Sequence, residues 1–104
     1  MFKDIANLVY VIEKNDSDGF PIKSEVKTEV FVDKKSIKRS EFYTAMQVGM
    51  KPSIAFEIRP EDWELSRHIE KNKVLYAQKI EFDGGTYDII RTYEDGSMVE
   101  LVCG

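Results

Sequence analysis

The stretch "AQKIEFDGGTYDIIRTY" (residues 77–93) constrains the fold of this chain more than any other. Apolar and polar residues alternate before and after a Gly-rich reversal, which is typical of two half-buried strands joined by a tight turn. The pattern predicts a β-hairpin with its turn at Gly84–Gly85. A second turn, "EDGS", precedes the alternating run "MVELVCG", so residues 78–103 are predicted to form a three-stranded meander. The prediction places Ile80 and Phe82 on one face of the first strand, and Tyr87, Ile89, Arg91 and Tyr93 on one face of the second.

The first half of the chain also favours strands. Ile5–Glu13 is rich in apolar, β-branched and aromatic residues, consistent with a strand, although a short helix fits nearly as well. The cluster at residues 14–21 predicts a turn. Alternation then returns in residues 22–33 and 53–59, each with one apolar face. These faces contain Val26, Thr28, Val30 and Val32 in the former, and Ile54, Phe56 and Ile58 in the latter.

A short amphipathic helix is predicted over residues 40–48. Ser40 is a suitable N-cap, and Gly49 and Pro52 favour termination. An apolar stripe follows helical spacing at Phe42, Ala45, Met46 and Gly49. The charged segment at residues 60–72 fits one or two helical turns and a long loop equally well, so both interpretations stay open.

Together these elements predict one mainly β domain over residues 1–104. Five or six strands and one short helix around a single core are expected to form a small β-barrel or sandwich with long loops, because closure removes exposed strand edges. With 42% apolar and 33% charged residues the chain has a globular composition. No apolar run approaches the ~20 residues that span a bilayer, and the N-terminus lacks a secretory cleavage pattern, so we expect a cytoplasmic protein.

The sequence contains little that predicts catalysis. It has no phosphate-binding loop, no nucleophile-elbow serine and no paired Cys or His motif. The lone Cys103 cannot form an internal disulfide and is predicted to be a half-buried strand residue. The single His68 offers weak support for a metal site or an enzyme built around it and nearby acids. We therefore expect a binding protein rather than an enzyme, without cofactor or metal.

Charge is unevenly distributed along the chain, whose net charge is −4. Residues 1–21 have a net charge of −2, residues 22–52 of +3 and residues 53–104 of −5. Four basic side chains in the middle segment lie within six positions and are candidates for subunit-interface or DNA-channel contact: Lys34, Lys35, Lys38 and Arg39. A solvated loop, or an electrostatic groove for single-stranded nucleic acid with Phe42 and Tyr43 nearby, are the alternatives.

Two stretches, "EVFVDKKSIKRSEFYTAMQVGMKPSIAFEIR" and "YAQKIEFDGGTYDIIRTYEDGSMVELVCG", carry a resemblance to a known family. The order of elements, and the motif matched at Ile80, Phe82, Asp83, Gly84, Tyr87, Ile89, Ile90 and Arg91, resemble the head–tail joining proteins of long-tailed bacteriophages and prophages. These are also called head-closure, adaptor or stopper proteins. The resemblance covers approximately residues 24–104.

The resemblance implies a structural role in the virion rather than an enzymatic one. Family members are small β-barrels that form a ring beneath the portal, extend the DNA channel, receive the tail and in some cases retain packaged DNA. It therefore implies a homo-oligomeric ring, twelvefold if matched to the portal, with portal or adaptor and tail proteins as partners, assembled in the host cytoplasm. Non-specific DNA contact is compatible with this role, and no membrane is involved. Partner contacts are expected in the loops at residues 14–21 and 33–40.

Overall fold

The computed structural model describes residues 3–36 and 52–104. Within those ranges the chain forms eight strands and one short helix. In chain order these are β1 (Asp4–Asn15), β2 (Pro21–Lys35), β3 (Ile54–Ile58), α1 (Pro60–Glu64), β4 (His68–Glu70), β5 (Lys73–Leu75), β6 (Lys79–Phe82), β7 (Gly85–Glu94) and β8 (Val99–Cys103).

Six of these strands close into an antiparallel barrel. Their order around it is β1-β2-β3-β8-β7-β6, and the pairing of β1 with β6 completes the circle. The remaining two strands, β4 and β5, form a separate hairpin. The predicted mainly β fold is thus confirmed, with a barrel rather than a sandwich. Ile5–Glu13 lies in a strand, which settles the helical alternative for that segment.

The barrel core is built from the inward faces that the alternation predicted. Val30 and Val32 of β2 are buried, while Phe31 between them is exposed. The buried cluster also contains Ile54, Phe56 and Ile58 of β3 and Ile80 of β6. Phe56 is fully buried and contacts the ring of Phe82 edge-on, with 5.1 Å between the ring centroids. The Phe56 ring therefore joins β3 to β6, two strands that are not neighbours in the barrel.

The predicted meander is confirmed as β6, β7 and β8, with its first turn displaced by one residue. Phe82 pairs with Gly85, so the two central residues are Asp83 and Gly84 rather than Gly84–Gly85. Both have positive φ, 48° and 79°, as a type I′ hairpin turn requires. Asp tolerates this left-handed conformation well enough to take the first position, and Gly85 is left free to begin β7.

The predicted face of β7 is interrupted by a β-bulge between Ile89 and Arg91. Ile89 pairs with Cys103, which belongs to the core, whereas Arg91 pairs with Val102 on the opposite face of β8. The prediction that Arg91 and Tyr93 share a face with Tyr87 and Ile89 is therefore wrong. The extra residue in a bulge reverses the alternation that follows it.

Residues 60–72, for which a helix and a loop fitted equally well, contain one helical turn, and the β4–β5 hairpin follows it. Trp63 of α1 is buried and stacks on Tyr76, with centroids 5.2 Å apart. Ser66 is fully buried; its hydroxyl donates to the carbonyl of Trp63 (2.9 Å) and accepts the N–H of Ala77 (3.1 Å). These contacts hold α1 and the β4–β5 hairpin against the barrel.

Two further predictions concern other parts of the chain. The helix predicted over residues 40–48 lies outside the described residues. Cys103 is a strand residue as predicted but is completely rather than half buried. Burial raises the pKa of its thiol to about 12, with a smaller contribution from the charge of Asp88. No helix in the described part of the chain is long and apolar enough to cross a membrane.

Candidate interaction surface

The most distinctive surface is a hairpin that extends beyond the barrel. β1 pairs with β6 only over Ala6–Val9, and β2 pairs with β3 only over Val32–Lys35. Residues 10–15 and 21–26, by contrast, pair only with each other among the described residues. We call residues 10–26 the arm.

The tip of the arm is a well-bonded turn that presents an aromatic ring. The Asp16 carboxylate accepts the N–H groups of Asp18 (2.9 Å) and Phe20 (2.8 Å), and the Asp16 N–H donates to the Phe20 carbonyl. Gly19 completes the turn with φ of 84°. Phe20 itself is 68% exposed and, together with the exposed Ile22, places apolar surface at the tip of the arm.

The base of the arm is attached to the β4–β5 hairpin by an aromatic stack. The rings of Tyr10 and His68 lie 3.9 Å apart and nearly parallel. His68 Nδ1 lies 2.9 Å from the Ser66 carbonyl oxygen, and this contact places a hydrogen on Nδ1. The histidine that raised the hypothesis of a metal or catalytic site thus holds the arm in place.

Among the described residues, large apolar side chains are exposed in pairs at three places. At the tip of the arm Phe20 is followed by Ile22. On the outer face of the barrel Ile5 pairs with Phe31, and on the β4–β5 hairpin Ile69 pairs with Val74. Each of these six side chains is at least 46% exposed. Apolar patches that the fold does not cover are typical of contact surfaces for other molecules.

The outer face of β2 carries alternating charges. Lys27 donates to Glu81 at 3.0 Å, and this hydrogen bond raises the pKa of the lysine. Lys23 lies 3.5 Å from Glu13. Glu29, on the same face, has no cation within ion-pair distance among the described residues. These side chains are largely exposed, so the ion pairs contribute little to the folding of the chain itself.

The basic residues predicted as a contact site divide between described and undescribed parts of the chain. Lys34 and Lys35 end β2, opposite Phe56 and Ala55 of β3, whereas Lys38 and Arg39 lie outside the described residues. The prediction of a loop beginning at residue 33 is wrong for the first three positions, because the β2–β3 ladder continues through Lys35. Both lysines are exposed, and as neighbours in a strand they point to opposite faces. Lys35 Nζ lies 3.9 Å from Glu57.

Neither a metal site nor a family assignment emerges beyond this surface. Over residues 3–36 and 52–104, no three or more His, Cys, Asp or Glu side chains are grouped so as to hold a metal ion. A comparison of the sequence with the profiles of known protein families and with curated proteins found no match. The arm was missed by sequence reasoning, because alternation marks a strand but not whether its partners continue alongside it.

Proposed function

We propose that this chain is a structural component that joins the head of a long-tailed phage to its tail, as part of the connector ring around the DNA channel. The observation that carries the proposal is the arm, a hairpin that extends past the barrel and exposes Phe20 at its tip. The barrel itself does not need these residues for its core. The resemblance over residues 24–104 adds support, since its best-matched motif lies in β6, its turn and β7.

A ring requires each copy to offer two unlike surfaces, one for each neighbour. The arm and the β4–β5 hairpin are unlike in shape, and both expose apolar side chains on the described part of the chain. A twelvefold ring is the arrangement that we propose from the resemblance to portal-associated proteins. Lys34 and Lys35, together with Lys38 and Arg39, would contact a neighbouring subunit or the phosphates of channel DNA, without base recognition.

The alternative is a barrel that binds single-stranded nucleic acid, which requires a positive groove lined with aromatic rings. The outer face of β2 is unfavourable for this, because acidic and basic side chains alternate along it. Titration of the purified chain with labelled oligonucleotide at low and high salt tests the alternative. Tight binding that weakens steeply with salt would favour the groove over the connector role.

The proposal is tested with a nonsense codon in the gene in its own phage. We expect full heads and complete tails that remain separate in electron micrographs, and recovery of infectious particles when the chain is supplied in trans. A nonsense codon in a tail-fibre gene is the matched control, because it blocks infection while heads and tails still join. Joined, infectious particles in the absence of this chain would refute the proposal.

A further inference from the structure

In the part of the chain that the structure describes, the long strand β2 has an open edge. On one side Pro21–Val32 pair with β1, but on the other side only Val32–Lys35 meet β3. Residues 21–31 therefore have no strand partner on that side among the described residues. An open edge of this length presents unpaired backbone N–H and C=O groups and is a template for a further strand.

We propose that this edge pairs with the same edge of a second copy of the chain, in an antiparallel register centred on Val26. The two hairpins would then form one continuous four-stranded sheet, in the order β1-β2-β2-β1. Backbone hydrogen bonds provide the affinity in such strand addition, and the side chains that face each other select the register.

The charges of β2 select this register. With Val26 opposite Val26, each Lys23 faces Glu29 of the other copy and each Glu25 faces Lys27. Every charged residue between positions 23 and 29 thereby meets the opposite sign. Glu29 gains a cation that it does not have within the described part of its own chain. Cross-strand pairs of opposite charge stabilise a sheet, whereas like charges placed opposite destabilise it.

The uncharged residues fit the same register. On the other face of β2, Ser24 lies opposite Thr28, so two small hydroxyl side chains meet beside the central Val26 pair. At each end Pro21 lies opposite Phe31, which brings the tip of one arm to the exposed apolar side chain on the flank of the other barrel. Phe31 is 46% exposed and Phe20, next to Pro21, is 68% exposed. The pairing thus covers apolar surface at two separate places.

This inference does not rest on the proposed function. A two-fold pairing is complete with two copies, whereas a ring needs contacts that continue in one direction. The test therefore measures the number of copies in the complex. Failure to find a dimer would leave the connector role standing, and failure of the genetic test would leave the dimer standing.

The experiment is sedimentation velocity of the full chain over a concentration series, with a charge-swap cycle. Lys23→Glu or Glu29→Lys alone places like charges opposite each other twice in the dimer, so we expect each to weaken dimerisation about tenfold. The double variant K23E/E29K restores opposite charges in reverse, and its dimerisation should return to within about threefold of the unmodified chain. Glu94→Lys is the matched control for Glu29→Lys, since it makes the same charge change at an exposed position at the end of β7. It should leave dimerisation unchanged.

The outcomes are decisive in either direction. A dimer that is weakened by each single variant and restored by the double variant supports the register. A chain that stays monomeric up to its solubility limit overturns the proposal, and so does a dimer that tolerates Glu29→Lys. A concentration-dependent complex larger than two also overturns it. Unchanged circular-dichroism spectra in all variants are expected, because both charged side chains lie on the surface.

Discussion

The arm continues two of the six strands of the barrel, β1 and β2, yet the two regions differ in how these strands are partnered. Within the barrel, β1 has a neighbour on both sides and buries Ala6 and Leu8 completely or nearly so. In the arm, its continuation has a neighbour on one side only among the described residues, and from Glu13 to Asn15 its side chains are exposed. A single strand can thus supply stability over one half and a contact surface over the other. The boundary between the two halves is set by the second neighbour of each strand: β6 pairs with only part of β1, and β3 with only part of β2.

The two regions should differ most strongly in the unfolding free energy that a Phe→Ala substitution costs. Phe56→Ala removes a fully buried ring at the centre of the barrel and should cost about 3–5 kcal/mol of unfolding free energy. Phe20→Ala, at the exposed tip, should change it by no more than about 0.5 kcal/mol. Denaturant melts of the two variants check this. Similar losses in both would show that the arm is part of the cooperative core.

Alkaline pH should destabilise the barrel through Cys103. The folded thiol keeps its proton up to a pKa of about 12, whereas the ordinary value is 9.0. Between these values the folded state binds more protons than the unfolded state, so stability falls as pH rises, by about 1.4 kcal/mol per pH unit. Below pH 9 this group contributes no pH dependence. Melts of the native chain and Cys103→Ala across this range should differ in slope, and equal slopes would contradict the burial of the thiol.

Two turn glycines offer a matched comparison of the regions. Gly84 in the barrel and Gly19 at the arm tip have φ of 79° and 84°, and an added Cβ would meet nothing within 4 Å at either position. Alanine should therefore cost about 1 kcal/mol of local strain at both. In hydrogen exchange, Gly84→Ala should accelerate the core amides, while Gly19→Ala should affect the arm alone. Loss of core protection in Gly19→Ala would show that the arm does not open independently.

Charge reversal of the basic run should have the smallest effect on folding. Replacing Lys34, Lys35, Lys38 and Arg39 with Glu should leave the thermal melt of the isolated chain nearly unchanged, because exposed charges contribute little to stability. In the phage, the same variant should leave heads and tails unjoined in electron micrographs. An unfolded variant would instead make this segment structural. Joined particles would show that its charge is not used in assembly.

The sequence predicted which face of a strand is buried wherever that depends only on the residues of the strand itself. Alternation identified the core faces of β2, β3 and β6 because each places one residue type inward at every second position. The bulge after Ile89 escaped prediction, since it depends on how β7 meets β8. The β4–β5 hairpin was also missed, although Asn72, which has a φ of 64°, is a residue that favours such turns. Among the candidate site residues, Lys34 and Lys35 were assigned to a loop because pairing with β3 is invisible in their own sequence.

Closure of the barrel by β1 and β6 has a consequence for the order in which the chain can fold. Ala6 pairs with Phe82, and Ile54 pairs with Cys103, so β1 and β3 gain their second neighbours only when β6 and β8 have been added. Contacts between such distant positions slow folding, because loop-closure entropy is lost before the contacts compensate for it. The hairpin of β1 and β2, by contrast, is local and can form while the rest of the chain is still being synthesised. The β1–β2 hairpin is therefore expected to be among the first pairings that the nascent chain samples, and to become stable once the barrel forms.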